Sequence, residues 1–146
     1  MRELNKCIIF APANENNNHR AVARHKNKTT MKKGIKIAAL AAIAAANPEG
    51  FTVDAQTLLP VTSGYAVAVR ATQNSFGPEG LAAVVDYANT DQEVTAFVGW
   101  LDSETGLYYY DAVVITDSFD RAKALAEREG QIAFFSLDEM KEYRIK

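Results

Sequence analysis

Apolar positions recur along the chain in two different periods, and these predict a mixture of helices and strands. Apolar residues spaced three and four apart predict helices, whereas short runs of alternating or continuous apolar residues predict strands. From residue 47 onward the two patterns follow each other, with turn-forming residues between them. The pattern therefore predicts one α+β domain over residues 47–146, built from short elements and compact loops.

The predicted elements of this domain follow the order β-α-β-β-α-β. Strands are predicted over residues 64–70, 94–101, 107–115 and 131–135. The first helix begins at Pro78, because proline suits the first helical turn, and the second begins at a cap formed by Asp117 or Ser118. This order is typical of ferredoxin-like folds, in which two helices cover one face of an antiparallel sheet. A short edge strand over residues 51–55 precedes these elements.

Residues 31–46 form an alanine-rich segment, which we interpret as an additional N-terminal helix. Alanine is the best helix former, and Ile37, Leu40 and Ala44 would form a stripe facing the core. Asn47 and Pro48 would end the helix. The apolar run of residues 37–46 is about half the length that a membrane-spanning helix needs, so we expect no membrane span.

The same segment admits a second interpretation as a signal peptide. Lysines 32, 33 and 36 form a basic start, and Ala44 and Ala46 have the spacing of a cleavage site. This interpretation requires translation to begin at Met31, with the protein exported and cleaved after Ala46. The helix interpretation is the one we favour, and with it a cytoplasmic location.

Residues 1–30 show neither a helical nor a strand period. We interpret them as a mobile basic tail, or as residues that are not translated if Met31 is the true start. They contain the single cysteine, Cys7, which has no partner for an internal disulfide. His19 and His25 have no cysteine or carboxylate at ligand spacing, so we expect no metal site there.

The net charge of −2 conceals an uneven distribution of charge along the chain. Residues 1–30 carry six basic and two acidic side chains, a net charge of +4. Residues 37–120 carry eleven acidic side chains and one basic side chain, Arg70, a net charge of −10. The hydrophobic content of 48% exceeds that of wholly disordered chains. The sequence thus describes a basic segment attached to an acidic globular body.

Aromatic residues of the predicted hairpin are the first candidates for a binding surface. Tyr108 and Tyr110 share one face of their strand, and we expect Trp100, across the hairpin loop, to pair with Tyr108. Aromatic residues on ferredoxin-like sheets can stack on RNA bases, but the surrounding negative charge repels phosphate. We therefore favour packing of these rings in the core and expect no nucleic acid to bind the sheet.

A polar loop and one acid complete the candidates. Gln73, Asn74 and Ser75 lie between a strand and a helix, where amides can bind a ligand, although ordinary turn formation is the interpretation we favour. Asp111 interrupts an apolar strand on the side of Tyr109. A buried carboxyl group there could have a raised pKa, but we expect an edge position or a hydrogen bond to the backbone.

No pairing of a nucleophile with a base appears in the sequence, and no set of metal ligands does. We therefore expect a protein without enzymatic activity, with no catalytic residues, no cofactor and no metal. A near-neutral composition with one cysteine also argues against a disulfide scaffold, and the modest apolar runs argue against a polytopic membrane protein.

Three segments carry a resemblance to a protein family. They are GYAVAVRATQNSFG (64–77), GWLDSETGLYYYD (99–111) and QIAFFSL (131–137). With these segments, residues 47–145 resemble small uncharacterised proteins encoded on phages and conjugative elements of gut bacteria. The resemblance implies an accessory role on a mobile element and no catalytic residues.

Three functions are consistent with these observations. The first is a non-enzymatic protein-interaction or regulatory module that binds a protein partner through its acidic surface or a free sheet face. The second is DNA mimicry, as in anti-restriction proteins, in which the acids imitate a row of phosphates. The third is an exported protein released by cleavage after Ala46.

Overall fold

The structure, a computed structural model, describes residues 32–146. The predicted basic tail of residues 1–30 and the alternative start at Met31 lie outside the described residues. The same is true of Cys7, His19 and His25.

The described part of the chain is an α+β domain with three helices and one seven-stranded antiparallel sheet. The helices are α1 (Lys33–Ala46), α2 (Gly77–Thr90) and α3 (Phe119–Arg128). The strands are β1 (Phe51–Asp54), β2 (Tyr65–Ala68), β3 (Ser75–Phe76), β4 (Ala96–Leu101), β5 (Tyr108–Thr116), β6 (Ala133–Ser136) and β7 (Lys141–Arg144). A 3₁₀ turn, Arg70–Thr72, separates β2 from β3.

The strand order in the sheet is β1-β4-β5-β2-β6-β7, and every neighbouring pair is antiparallel. The long strand β5 pairs with β4 along one edge. Its other edge is shared by two strands, because β2 pairs with residues 113–116 and β3 with residues 109–110. The interruption between β2 and β3 therefore lies beside Asp111 and Ala112, in the interior of the sheet.

The three helices lie on one face of the sheet, which we call the helix face. Their buried side chains form a single cluster with alternate strand residues, including Phe51, Phe97, Tyr110 and Phe134. A second cluster lies on the opposite face and consists of small and branched residues: Ala66, Ala68, Ala96, Val98, Val113 and Leu137. The alternation of strand side chains thus supplies two separate apolar layers.

The alanine-rich segment is a helix of the domain, and its predicted core-facing stripe is confirmed. Leu40 and Ala44 are buried in the helix-face cluster, and Ile37 packs against it. α1 lies beside α2, to which a salt bridge of 2.6 Å from Lys33 Nζ to Asp86 Oδ1 connects it. The helix ends at Asn47 as predicted, with the side-chain amide donating to the Ile43 carbonyl at 2.8 Å.

The predicted helix starts and strand positions are confirmed to within a few residues. Pro78 lies in the first turn of α2, and of the two predicted caps it is the Ser118 hydroxyl that accepts from the Arg121 N–H, at 3.1 Å. β1 is an edge strand, as expected. The short strand β3 and the polar edge strand β7 are additional elements that the apolar pattern does not indicate.

Candidate functional site

The aromatic residues of the hairpin divide between the two faces of the sheet. In the register of the β4–β5 hairpin, Trp100 lies opposite Tyr109 and Leu101 lies opposite Tyr108. The expected pairing of Trp100 with Tyr108 is therefore wrong by one residue. Because neighbouring strand residues point to opposite faces, this difference places Trp100 on the opposite face from Tyr108 and Tyr110.

Tyr108 and Tyr110 belong to the core on the helix face, where packing was the favoured interpretation. Their rings lie 5.3 Å apart and pack on Phe51, at centroid distances of 6.3 and 6.4 Å. The Tyr108 hydroxyl donates to the Asn47 carbonyl at 2.7 Å. Burial raises the pKa of both phenols. These two tyrosines thus hold β5 against β1 and the end of α1.

Three other rings form a row across β3, β5 and β4 on the opposite face, which we call the aromatic row: Phe76, Tyr109 and Trp100. Tyr109 lies in the middle, with its ring stacked on Trp100 at 5.6 Å and against the edge of Phe76 at 5.4 Å. Tyr109 is 6% exposed, Trp100 is half-buried and Phe76 is 44% exposed. The row therefore exposes an aromatic ring at its Phe76 end and part of one at its Trp100 end.

The polar loop of residues 73–75 adjoins this row, because Phe76 is the residue that follows it. The Ser75 hydroxyl donates to the Thr72 carbonyl at 2.9 Å, and the Gln73 N–H donates to the Arg70 carbonyl at 3.1 Å. Gly80 of α2 permits the close approach of this loop, since a Cβ there would lie 2.5 Å from the Ser75 carbonyl carbon. Turn formation, the favoured interpretation, accounts for Ser75.

The amide side chains of Gln73 and Asn74 do not take part in turn formation through hydrogen bonds. Asn74 is exposed and Gln73 is half-buried, and neither amide forms a hydrogen bond within residues 32–146. Asn74 has a φ of 66°, a left-handed conformation that asparagine tolerates better than most residues. The structure thus brings the loop to the Phe76 end of the aromatic row, with Tyr109 between it and Trp100, and leaves Tyr108 and Tyr110 on the other face.

Asp111 is buried at 6% exposure, and of the two expected alternatives, an edge position or a bond to the backbone, the structure shows the second. β5 lies inside the sheet, between β4 on one side and β2 and β3 on the other. The expected backbone bond is present, since the Ala112 N–H donates to Asp111 Oδ1 at 3.0 Å. The Thr72 hydroxyl also donates to this oxygen. Thr72 has no distinguishing pattern in the sequence.

Burial governs the chemistry of this carboxyl group. Desolvation raises the pKa of Asp111 to about 7, against the smaller lowering effects of the bonds from Thr72 and Ala112. No charged side chain of the described residues contributes to this shift. The arrangement can therefore hold and release a proton near neutral pH, inside a sheet.

Several acids of residues 37–120 have local partners. Asp54 and Asp102 accept from backbone N–H groups of the turns that follow them. Asp91 accepts from the Tyr87 hydroxyl, and Glu93 pairs with Arg128 at 2.7 Å. Many of these carboxylates thus serve local turns and ion pairs.

Within residues 32–146, no three or more His, Cys, Asp and Glu side chains are grouped to hold a metal ion. None of the three described helices has the length and apolar character to cross a membrane. Comparison of the chain with protein-family models, curated proteins and solved structures finds no match.

Proposed function

We propose that this chain is a small non-enzymatic interaction module that binds a basic segment of a protein partner through the aromatic row. The observation that carries the proposal is the arrangement of three rings across three strands with Phe76 44% exposed at one end. Single exposed apolar residues are common on proteins, but contiguous aromatic surface is enriched at interfaces.

Two acids that are close in sequence to the ends of the row supply the proposed chemistry of the partner. Glu79 lies in the first turn of α2, three residues after Phe76, and Glu104 is exposed in the hairpin loop after Trp100. Arginine and lysine side chains pack favourably on the faces of Trp and Phe and are attracted by nearby carboxylates. The same charge disfavours nucleic acid as a ligand of the sheet.

The single tryptophan, Trp100, provides a direct measurement of binding at this surface. The experiment titrates the full chain with an arginine- and lysine-containing peptide and with a glutamate-containing peptide of the same length, and follows Trp100 emission. We expect a saturable change with the basic peptide alone. Phe76→Ser should weaken this binding by about tenfold or more, because exposed aromatic anchors dominate such interfaces.

Ile35→Ser is the matched control, since Ile35 is an exposed apolar residue on α1 and outside both core clusters. It should leave binding unchanged, and circular dichroism should show both variants folded. Equal binding of the acidic peptide, or unchanged binding by folded Phe76→Ser, would contradict the proposal.

We also propose a ferredoxin-like core formed by β2, α2, β4, β5, α3 and β6. Its support is the spatial order β4-β5-β2-β6 with antiparallel neighbours. On this view, α1, β1 and β7 are additions to the core. The resemblance of residues 47–145 to mobile-element proteins supplies the proposed context, an accessory role in the bacterial cytoplasm with α1 retained.

DNA mimicry is the alternative function, favoured by the net charge of −10 over residues 37–120. It predicts that an excess of the chain protects DNA from restriction enzymes of the host. Phe76→Ser should not change that protection, whereas it should weaken binding through the aromatic row. The two functions are therefore separable with one variant.

A further inference from the structure

The edge of β5 that faces β2 and β3 has one irregular position, Ala112, where a side-chain oxygen takes the place of a backbone carbonyl from a neighbouring strand. The Val69 N–H donates to the Ala112 carbonyl at 3.1 Å, which continues the pairing of β2. The Ala112 N–H, however, meets no carbonyl and donates instead to Thr72 Oγ1 at 3.1 Å. Thr72 therefore fills the interruption between β2 and β3.

The same threonine binds a buried carboxyl group on this face, that of Asp111. Its hydroxyl donates to Asp111 Oδ1, so that Thr72, Asp111 and the Ala112 N–H form one connected group. Thr72 is 2% exposed. The turn of residues 70–72 is thus attached to the interior of the sheet through an ionisable side chain.

Among residues 32–146, no positively charged side chain adjoins Asp111. On its face, β4 presents Val98 and Trp100, β2 presents Ala68, and β5 presents Val113 and Tyr109; the Tyr109 phenol is the one ionisable group of this set. The charged side chain of the turn lies elsewhere, because the guanidinium of Arg70 lies against Gly130. The backbone N–H of Arg70 donates to Glu129 Oε1 at 2.9 Å. Within the described part of the chain, an ionised Asp111 has two hydrogen bonds to stabilise it, from Thr72 and from the Ala112 N–H.

We infer that Thr72 and Asp111 form a proton-dependent latch that holds residues 70–76 against β5, and that loss of the Asp111 proton favours release of this segment. A neutral carboxyl group keeps both hydrogen bonds without burying a charge. An ionised one gains solvation when the segment opens and water reaches it.

The direction of the pH dependence follows from linkage. The pKa of Asp111 is about 7 in the closed state and would return towards its ordinary value in an open, hydrated state. Opening therefore becomes more favourable as pH rises from the ordinary value to about 7, by up to about tenfold per pH unit, and levels off above it.

The latch would also control the aromatic row, because Phe76 belongs to the released segment. This consequence rests on the proposed function: binding of a basic partner would weaken as the pH rises towards 7. The latch itself is tested in the free protein, so that its failure and the failure of the proposed function are distinguishable.

The test is hydrogen exchange of the full chain, measured by mass spectrometry from acidic pH to above pH 7 and corrected for the intrinsic exchange rate. We expect peptides covering residues 70–76 and Ala112 to lose protection as the pH rises to about 7, whereas peptides of α3 keep theirs. Asp111→Asn keeps a neutral side chain of the same shape and should remove this pH dependence.

Two further variants distinguish the latch from a general effect of pH on the stability of the fold. Thr72→Val keeps the branched shape without the hydroxyl and should open the segment at all pH values. Asp91→Asn is the control, since Asp91 accepts from Tyr87 at the end of α2, and it should leave the pH profile of residues 70–76 unchanged. Two results would overturn the inference. One is that protection from exchange depends on pH in the same way in residues 70–76 and in α3 of the wild type. The other is that Asp111→Asn keeps the pH dependence of residues 70–76.

Discussion

Gly99 is the residue at which β4 most closely approaches the rings on the helix face. A Cβ at this position would lie 2.4 Å from Phe51 Cε2 and 2.8 Å from Tyr108 Cε1. Both rings are held in place, Phe51 by burial in the core and Tyr108 by its bond to the Asn47 carbonyl. A glycine is therefore required here by packing, and not by backbone conformation.

We predict that Gly99→Ala lowers the free energy of unfolding by about 1–3 kcal/mol, the usual cost of overpacking a core. Urea unfolding followed by circular dichroism measures this change. The matched control is Gly34→Ala in α1, where a Cβ meets nothing within 4 Å. It should stabilise the protein by about 0.5–1 kcal/mol, because alanine replaces glycine within a helix. Equal effects of the two substitutions would refute the packing argument.

Asp111 should also give the whole fold a pH dependence of a definite sign. Its pKa is raised to about 7 in the folded protein, so its contribution to stability is complete below its ordinary pKa and is lost as pH rises towards 7. Asp111→Asn should therefore gain stability over wild type across this window, by up to about 4 kcal/mol at neutral pH.

Chemical unfolding of both proteins at a series of pH values measures that difference. Carboxylates with lowered pKa, such as Asp91, work in the opposite direction in both proteins and cancel in the comparison. A difference between the two proteins that does not change between acidic and neutral pH would show that burial of Asp111 is not linked to a proton.

At the scale of elements, α1 is part of the domain because its stripe of apolar side chains packs into the core, in addition to the covalent connection to β1. Leu40 is fully buried, and the cation of Lys36 lies 5.9 Å from the centre of the Phe97 ring. Desolvation lowers the pKa of Lys36, and the smaller effect of the nearby negative charge of Asp54 is to raise it. Cleavage after Ala46 would remove all of these contacts and uncover the helix face.

We predict that Leu40→Ala destabilises the protein by about 2–5 kcal/mol, as expected for a large-to-small change in a core. The exposed neighbour Ala41 is the control, and Ala41→Ser should cost about 0.5 kcal/mol or less. Thermal unfolding compares the two. The intact mass of the natively expressed protein decides whether α1 is retained, and a product beginning at Asn47 would establish the exported alternative.

Elements with a strong apolar period are the ones that the sequence predicts well. α2, α3, β4 and β5 each combine such a period with a cap or turn residue, and their observed bounds lie close to the predicted ones. β3 has only two residues and exists because β5 and Gly80 hold it in place. β7 is polar because it lies at an edge, so it has no apolar alternation to detect.

The candidate site is predicted in part for similar reasons. The interruption of an apolar strand by Asp111 is a local signal that singles out this acid; the expected bond to the backbone is present, whereas the expected edge position is not. Its partner Thr72 lies 39 residues away in sequence, and only the tertiary fold brings the two together. The partner of Trp100 is predicted wrongly because the conformation of the hairpin loop decides which residues of β4 and β5 are opposite each other. A shift of one residue moves Trp100 from the face of Tyr108 to the face of Tyr109.

At the scale of the whole molecule, the separation of charge should make binding depend on salt. The affinity for a basic peptide should fall by roughly threefold to tenfold as salt is raised from low to physiological concentration, since exposed charges are screened. Glu79→Gln with Glu104→Gln should reduce this dependence, whereas Phe76→Ser should weaken binding at every salt concentration. Trp100 emission measures each case, and a salt-independent affinity would contradict the charge argument.

The position of β2 has a consequence for the synthesis of the protein. β2 lies between β5 and β6, although these strands follow it by about 50 and about 70 residues in the chain. During translation at ~5–20 residues per second, β2 therefore leaves the ribosome several seconds before its second partner exists. Until β6 emerges, the middle of the sheet has an unpaired edge, and pairing with another unfinished chain competes with folding there.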